Sequence, residues 1–247
     1  MHGWLEGRLT DRREWAAGLA TLRVEAAIEP FVPGQFTNLA LELPGGIERR
    51  SYSMASPPGQ PLEFLVTTVE EGRLTPALLA LRPGDSVLVE RKPQGFFTLG
   101  WVPEARELWL VATGTGLGPF LSILKSGAPW PRFERVILVH AARDPAHLAH
   151  RDELRELADR RAGQLQLVFA VTREAAPAGM LHGRVTTLLA DGSLERAAGR
   201  SLDPEASHVM LCGNPAMIEE MTALLAARGL RRHRVRKPGH VTIEKYW

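Results

Sequence analysis

The chain is poor in the features that mark secreted, membrane-spanning or cluster-bearing proteins. It has one cysteine, Cys212. A single thiol makes no intrachain disulfide and cannot by itself hold an iron–sulfur cluster. No run approaches the ~18 consecutive apolar residues of a membrane helix. The start, MHGWLEGRLTDRREW, lacks the apolar core of a signal peptide. The expectation is a soluble cytoplasmic protein without membrane contact. Net charge is small, +2, although RGLRRHRVRKPGH (Arg228 to His240) concentrates positive charge. No aromatic stacking surface accompanies this run, so nucleic acid is not expected as a partner. A solvated face and a docking patch for an acidic partner both remain open for it. Metal-ligand clusters, Ser-His-Asp spacing, internal repeats and low-complexity segments are not found.

What is present is a chain of 247 residues, 45% of them apolar, enough for two domains of ~100–150 residues. Through about residue 98, short partly alternating runs (LATLRVEA, FTNLALEL, LEFLVTT, DSVLVERK) are separated by turn signals such as VPGQ, LPGG and RPGD. That spacing predicts a small antiparallel barrel or sandwich. LTPALLAL is the helical exception, with Thr75 as expected N-cap and Pro76 at the first helical position. The rhythm then changes. LWLVAT, RVILVHA, LQLVFAVT and SHVMLC alternate with helical patterns such as RDELRELADR and PAMIEEMTALLAARG. Alternating strands and helices predict a parallel sheet covered on both faces. The boundary is expected in LGWVPEA, dividing residues 1–100 from 101–247.

Two constellations carry chemistry. In RRSYSMASPP, an extended chain puts Arg50 and Tyr52 on one face and Ser53 at the strand's end. A guanidinium grips a pyrophosphate in paired hydrogen bonds, a phenol ring lies against a flat ring, and a hydroxyl reaches a ring nitrogen. A surface strand with an exposed arginine fits these residues equally well. GRLTP offers a helix start for an anion, or an ordinary capped helix. In the second half, LWLVATGTGLGP is a strand, a glycine turn (Gly114, Gly116, Gly118) and a helix start. Its spacing departs from G-x-G-x-x-G, and such a turn alone is a weak signal. Arg143, Thr172, Arg173 and Arg184 fall at strand ends or a helix start. Each of these arginines alone is more often a surface residue; three on that edge favour a phosphate cradle, of the kind a 2′-phosphate needs and a ribose diol does not, with Asp144 as a competitor for Arg143. In LCGNPAM, Asn214 is the expected N-cap and Pro215 the first helical residue. Asn214, Ala216 and Met217 are candidates to line the adenosine side. The tail VTIEKYW would fray unless a closing strand holds it.

RSYS resembles the Arg-x-Tyr-Ser flavin motif of the ferredoxin–NADP reductase family, and GTGLGP resembles that family's nucleotide-domain turn. The resemblance spans nearly the whole chain, the bacterial members ending in Tyr-Trp included. It implies an FAD-binding barrel followed by an NADP-binding α/β domain. By this resemblance Arg50 binds the FAD pyrophosphate, Ser51 and Tyr52 belong to the flavin site, and Ser53 lies near flavin N5. Val66 and Thr67 add backbone contacts, while Arg73, Leu74 and Thr75 hold phosphate. Thr115 lies near FAD, and Gly114 and Gly116 face the nicotinamide. Cys212, with Glu244, tunes nicotinamide placement. Tyr246 stacks on the flavin, and Trp247 is assigned to the FAD adenine. The implied reaction passes electrons between NADPH and a flavodoxin or ferredoxin, with Arg231 to Lys237 as a contact for that acidic carrier and the enzyme a monomer. The alternatives are a reductase for a specific oxygenase, a free-flavin or ferric reductase, or a redox-inactive nucleotide-binding subunit. Flavin absorbance near ~450 nm separates the last from the others.

Overall fold

A computed structural model describes residues 3–69 and 71–246. Two compact units emerge: one reaches to Leu99 and takes up Gly118–Gly127, and the other comprises Gly100–Leu117 and Ala128 onward.

The first unit is a six-stranded antiparallel sheet in the order β4-β3-β6-β1-β2-β5. Its strands are β1 (Trp4–Ala16), β2 (Leu19–Glu25), β3 (Phe36–Leu43), β4 (Gly46–Ser53), β5 (Leu62–Thr67) and β6 (Ser86–Glu90). β1 was not anticipated, because WLEGRLTDRREWA is densely charged. It is long enough to pair with both β2 and β6, and only Gly7 and Leu9 on it are buried. Leu9, Leu22, Leu39, Phe64, Val66 and Val89 fill the interior. β4 and β5 are the two edge strands. Just beyond β4 the chain closes onto β5 through the Met54–Phe64 bridge and the Ala55 N–H to Glu63 carbonyl bond of 2.7 Å. The sheet therefore curls into a half-barrel whose two edge strands approach each other at this bridge.

Helix α1 (Leu74–Ala80) lies in this unit, burying Leu74, Thr75, Leu78 and Leu79. It begins earlier than the sequence predicts: Arg73 is the N-cap, and Thr75 is already helical. The Thr75 hydroxyl instead accepts the Val69 N–H at 3.1 Å. Helix α2 (Gly118–Lys125) also belongs here, although the strand before it belongs to the other unit. Its residues Gly118 to Leu124 are all buried. Phe120 meets Phe97, Ser122 donates to the Ser56 carbonyl at 2.8 Å, and Lys125 pairs with Glu63 at 3.4 Å.

The second unit is a parallel sheet in the order β10-β9-β8-β7-β11-β12. Its strands are β7 (Glu107–Thr113), β8 (Arg135–Ala142), β9 (Leu165–Val171), β10 (Leu181–His182), β11 (Ser207–Gly213) and β12 (Val241–Lys245). Helices α3 (Arg151–Arg160), α4 (Val185–Ala190), α5 (Ser193–Ala198) and α6 (Pro215–Ala227) connect them. The continuous apolar runs in β7, β8 and β11 are those of strands covered on both faces. From β7 the chain moves outward to β10, then returns to place β11 on β7's other side. The carboxyl ends of β7 and β11 thus form a topological switch point, where open α/β sheets bind ligands. Among the described residues, no helix is long and apolar enough to cross a membrane.

Candidate flavin and nucleotide sites

In the first unit, the flavin candidates gather around the opening of the half-barrel. β4 carries Arg50, Ser51, Tyr52 and Ser53, β5 carries Val66 and Thr67, and Arg73, Leu74 and Thr75 start α1. Their exposure differs along β4. Arg50 and Ser51 are exposed, Tyr52 is half-buried and Ser53 is buried. This gradient, from solvent to interior, suits a ligand with a charged end and a flat apolar end. The Ser51 hydroxyl donates to Asn38 Oδ1 at 2.8 Å, so it braces β4 against β3. The Tyr52 hydroxyl is buried with no hydrogen-bond partner among the described residues. Burial pushes its pKa up to about 12, against the opposing pull of the Arg50 guanidinium. A buried phenol oxygen without a partner is an unfilled polar position, of the kind a bound molecule satisfies. Thr75, whose oxygen lone pair takes the Val69 N–H, keeps its own proton to donate.

In the second unit the candidates lie along the carboxyl edge of the sheet. Gly114 has φ +55°, and a Cβ there would meet nothing within 4 Å, so the turn's outer surface is open. Gly116 is confined: a Cβ would fall 2.6 Å from the Cys212 carbonyl carbon and 2.8 Å from Gly213 Cα. Only glycine lets the β7 and β11 turns come this close. Thr113, which sequence reasoning passed over, joins them further by accepting the Asn214 N–H at 3.0 Å. Thr115 is buried in the 3-10 turn between β7 and α2.

Asn214 is the N-cap as expected, and its Oδ1 accepts from Ala216 N at 2.9 Å and Met217 N at 3.2 Å. Met217 is buried in the apolar core, whereas Ala216 and Asn214 are exposed. Cys212 and Glu244 are direct register partners on β11 and β12. Burial raises the Cys212 thiol well above its ordinary pKa, Glu244 raises it further, and a hydrogen bond with the Tyr246 side chain works the other way. Cys212 is therefore a neutral thiol rather than a thiolate nucleophile. The tail is tied down as far as it is described: Tyr246 is half-buried and its N–H donates to the Gly213 carbonyl at 3.1 Å. Trp247 lies outside the described residues.

Arg143, Arg173 and Arg184 are all exposed, after β8, after β9 and at the N-cap of α4. Backbone bonds join two of these loops, because the N–H groups of Thr172 and Arg173 reach the Arg143 carbonyl at 3.2 and 2.9 Å. Asp144 is 3.4 Å from His147 rather than paired with Arg143. The edge thus presents guanidinium groups suited to an anion. A second feature missed in the sequence is His140, fully buried near the end of β8, with Nε2 3.1 Å from the Gly114 carbonyl. Burial lowers its pKa to about 4; the Gly114 bond opposes this and His150 adds to it. A neutral ring must donate from Nε2 to that carbonyl, so His140 fixes the glycine turn from beneath. The signal was one polar residue inside RVILVHAA.

The basic run occupies the opposite edge. Arg234 and Lys237 exchange backbone bonds of 2.8 and 3.1 Å in a tight hairpin, and the segment leads into the start of β12. About five residues of strand, roughly 16 Å, separate it from Tyr246.

The family described as oxidoreductase NAD-binding domain matches residues 110–223. The chain is 45% identical over 249 residues to the flavodoxin/ferredoxin–NADP reductase of Escherichia coli strain K12, covering 100% of both chains. It is 36% identical over 225 residues to a ferredoxin–NADP reductase of Pseudomonas aeruginosa, covering 87% of this chain and 86% of that one. A crystal structure of a ferredoxin NADP+ reductase from Neisseria gonorrhoeae with bound FAD and NADP superposes with a TM-score of 0.93. The sequence identity there is 29%, with 100% of both chains covered.

Proposed function

We infer the function from one premise: this chain belongs to the flavodoxin/ferredoxin–NADP reductase family. It is an oxidoreductase that uses FAD and NADP(H) and moves electrons between NADPH and a small carrier, flavodoxin or ferredoxin. The observation that carries this reading to the residues is the half-barrel opening, where Arg50 lies in solvent while the Tyr52 hydroxyl is buried without a partner among the described residues. The donor set fits a flavin dinucleotide: charge at the exposed end, aromatic and hydroxyl groups at the buried one. FAD held there would supply hydride exchange with a nicotinamide and one-electron exchange with a carrier.

The chain's residues supply binding and orientation. Arg50 grips the pyrophosphate, Ser51 keeps β4 in place and Tyr52 lies against the ring system. Ser53 presents its hydroxyl near N5, and Val66 and Thr67 offer the β5 backbone. Arg73, Leu74 and Thr75 complete the phosphate end. In the second unit, Gly114 and Gly116 let the nicotinamide approach the backbone, and His140 and Thr113 hold that turn still. Cys212, as a neutral thiol, and Glu244 place the nicotinamide without taking a charge from it. Asn214 and Ala216 border the adenosine. Met217 is the weakest of this set, because its side chain is buried in the core and its N–H is taken by Asn214. Tyr246 and Thr115 are assigned to the flavin. Arg143, Thr172, Arg173 and Arg184 take the 2′-phosphate. The Arg231–Lys237 run steers an acidic carrier in the cytoplasm; its place on the far edge suits attraction rather than electron passage. The enzyme acts as a monomer.

The reading is tested by mixing the purified yellow protein anaerobically with NADPH and then with oxidised flavodoxin or ferredoxin. The expected result is bleaching of the flavin bands by NADPH and their return with the carrier. Protein that purifies without flavin, or whose flavin NADPH leaves oxidised, would overturn it.

The tail gives a second expected result. Protein ending at Lys245 binds NADP⁺ more tightly than the full chain and holds FAD less well, since aromatic stacking contributes about 0.5–1.5 kcal/mol beyond burial. Turnover need not rise, because tighter ground-state binding leaves the next barrier no lower. If the truncated protein retains FAD equally and its NADP⁺ titration is unchanged or weaker, Tyr246 is only the end of a strand.

A further inference from the structure

Arg50 and Arg73 come from different motifs, one in RRSYS and the other in GRLTP, yet one carboxylate lies beside both. Glu48 Oε1 is 3.2 Å from Arg73 Nη1, and Glu48 Oε2 is 3.9 Å from Arg50 Nη1. Neither motif contains Glu48. It shares the face of β4 that carries Arg50 and Tyr52, by the two-residue alternation of a strand. Its side chain is 27% exposed, against 67% for Arg50 and 53% for Arg73, so it lies beneath the two guanidinium groups. Arg50 Nη1 also donates to the Arg49 carbonyl at 2.7 Å, and Arg73 Nη2 to the Pro44 carbonyl in the turn between β3 and β4.

We propose that Glu48 is the internal counterion of the phosphate-binding arginine pair, holding Arg50 and Arg73 together and weakening the diphosphate of FAD by competing for them. The inference rests on the assignment of Arg50 and Arg73 to the FAD phosphates. The charges set its direction. Two guanidinium groups and one carboxylate leave one positive charge for a diphosphate bearing two negative ones. With a neutral amide of the same shape, both positive charges face the ligand. Because the cluster is partly exposed, solvent screens the change, and a moderate effect follows.

The test uses flavin-stripped full-length protein titrated with FAD, followed by quenching of flavin fluorescence, and with ADP as competitor. Glu48→Gln is expected to tighten FAD about three- to tenfold at low ionic strength, and ADP by a similar factor. The gain should shrink at about 1 M salt, where the screening length is ~3 Å. Unchanged or weaker FAD binding in Glu48→Gln overturns the proposal and makes Glu48 a strut of the β3–β4 hairpin. A gain for FAD without one for ADP overturns it too, since the effect would then lie away from the phosphates. Arg50→Ala separates the two layers. It should lose FAD affinity about ten- to a hundredfold. If Arg50→Ala binds FAD as wild type does, the phosphate assignment itself fails, whatever Glu48→Gln does.

Discussion

Replacing Arg173 and Arg184 together by alanine is expected to raise the Michaelis constant for NADPH by roughly a hundred- to a thousandfold and to leave NADH use nearly unchanged. Each charged donor to a phosphate contributes about 1.5–3 kcal/mol, or more than tenfold, and two donors to one group combine less than additively. NADH lacks the 2′-phosphate, so the same substitutions remove nothing from its binding. Both arginines are exposed, at a loop and at the α4 N-cap, so the fold should tolerate their loss. Steady-state kinetics with both nucleotides decides the matter. Equal losses for NADPH and NADH would mean that these arginines support the loops and do not read the phosphate.

Acidification from pH 7.5 to 5 is expected to destabilise the second unit by about 4 kcal/mol through two histidines, His140 and His208. Both are essentially fully buried. Burial takes His140 down to about 4. For His208, burial and then His233, His240 and Arg132 bring it to about 3, while its Nε2 stays 2.9 Å from Thr242 Oγ1. Each folded pKa is lower than the unfolded value of 6.5, so below pH 6.5 the unfolded chain binds the proton first. Stability is therefore complete above that pH and falls with it, at about 1.4 kcal/mol per pH unit for each ring, until the folded pKa is reached. Urea unfolding at pH 7.5 and 5 measures the slope, and His140→Gln and His208→Gln should each flatten it. If both substitutions leave the slope intact, other groups cause the acid sensitivity. His140→Gln should also loosen the Gly114 turn and raise the NADPH Michaelis constant, whereas His208→Gln, at the other end of the sheet, should not.

The two sheets, the strand that carries RSYS and the glycine turn after β7 were legible in the residues because their signals are local. Alternating runs with Pro-Gly turns specify an antiparallel sheet, and continuous apolar runs between helical segments specify a parallel one. RSYS at a strand end, Asn214 before Pro215, and arginines after β8 and β9 needed only short-range geometry. The start of α1 was misplaced because the Thr75 hydroxyl has an alternative partner, the Val69 N–H, which no propensity foresees. β1 was missed because a strand's charged outer face hides its pairing when the partners, β2 and β6, are read separately.

Other features were decided only by tertiary structure, for a common reason: they depend on atoms brought together from distant positions. Glu48 meets Arg73 across 25 residues, and Thr113 reaches Asn214 across 101. His140 becomes a neutral donor to Gly114 only when burial removes water from its ring. Charge state and hydrogen-bond choice follow from the local dielectric and from which partner is near, and neither is written in a window of sequence. The residue types are specified one by one along the chain; their protonation, pairing and rigidity are set by the folded neighbourhood of each.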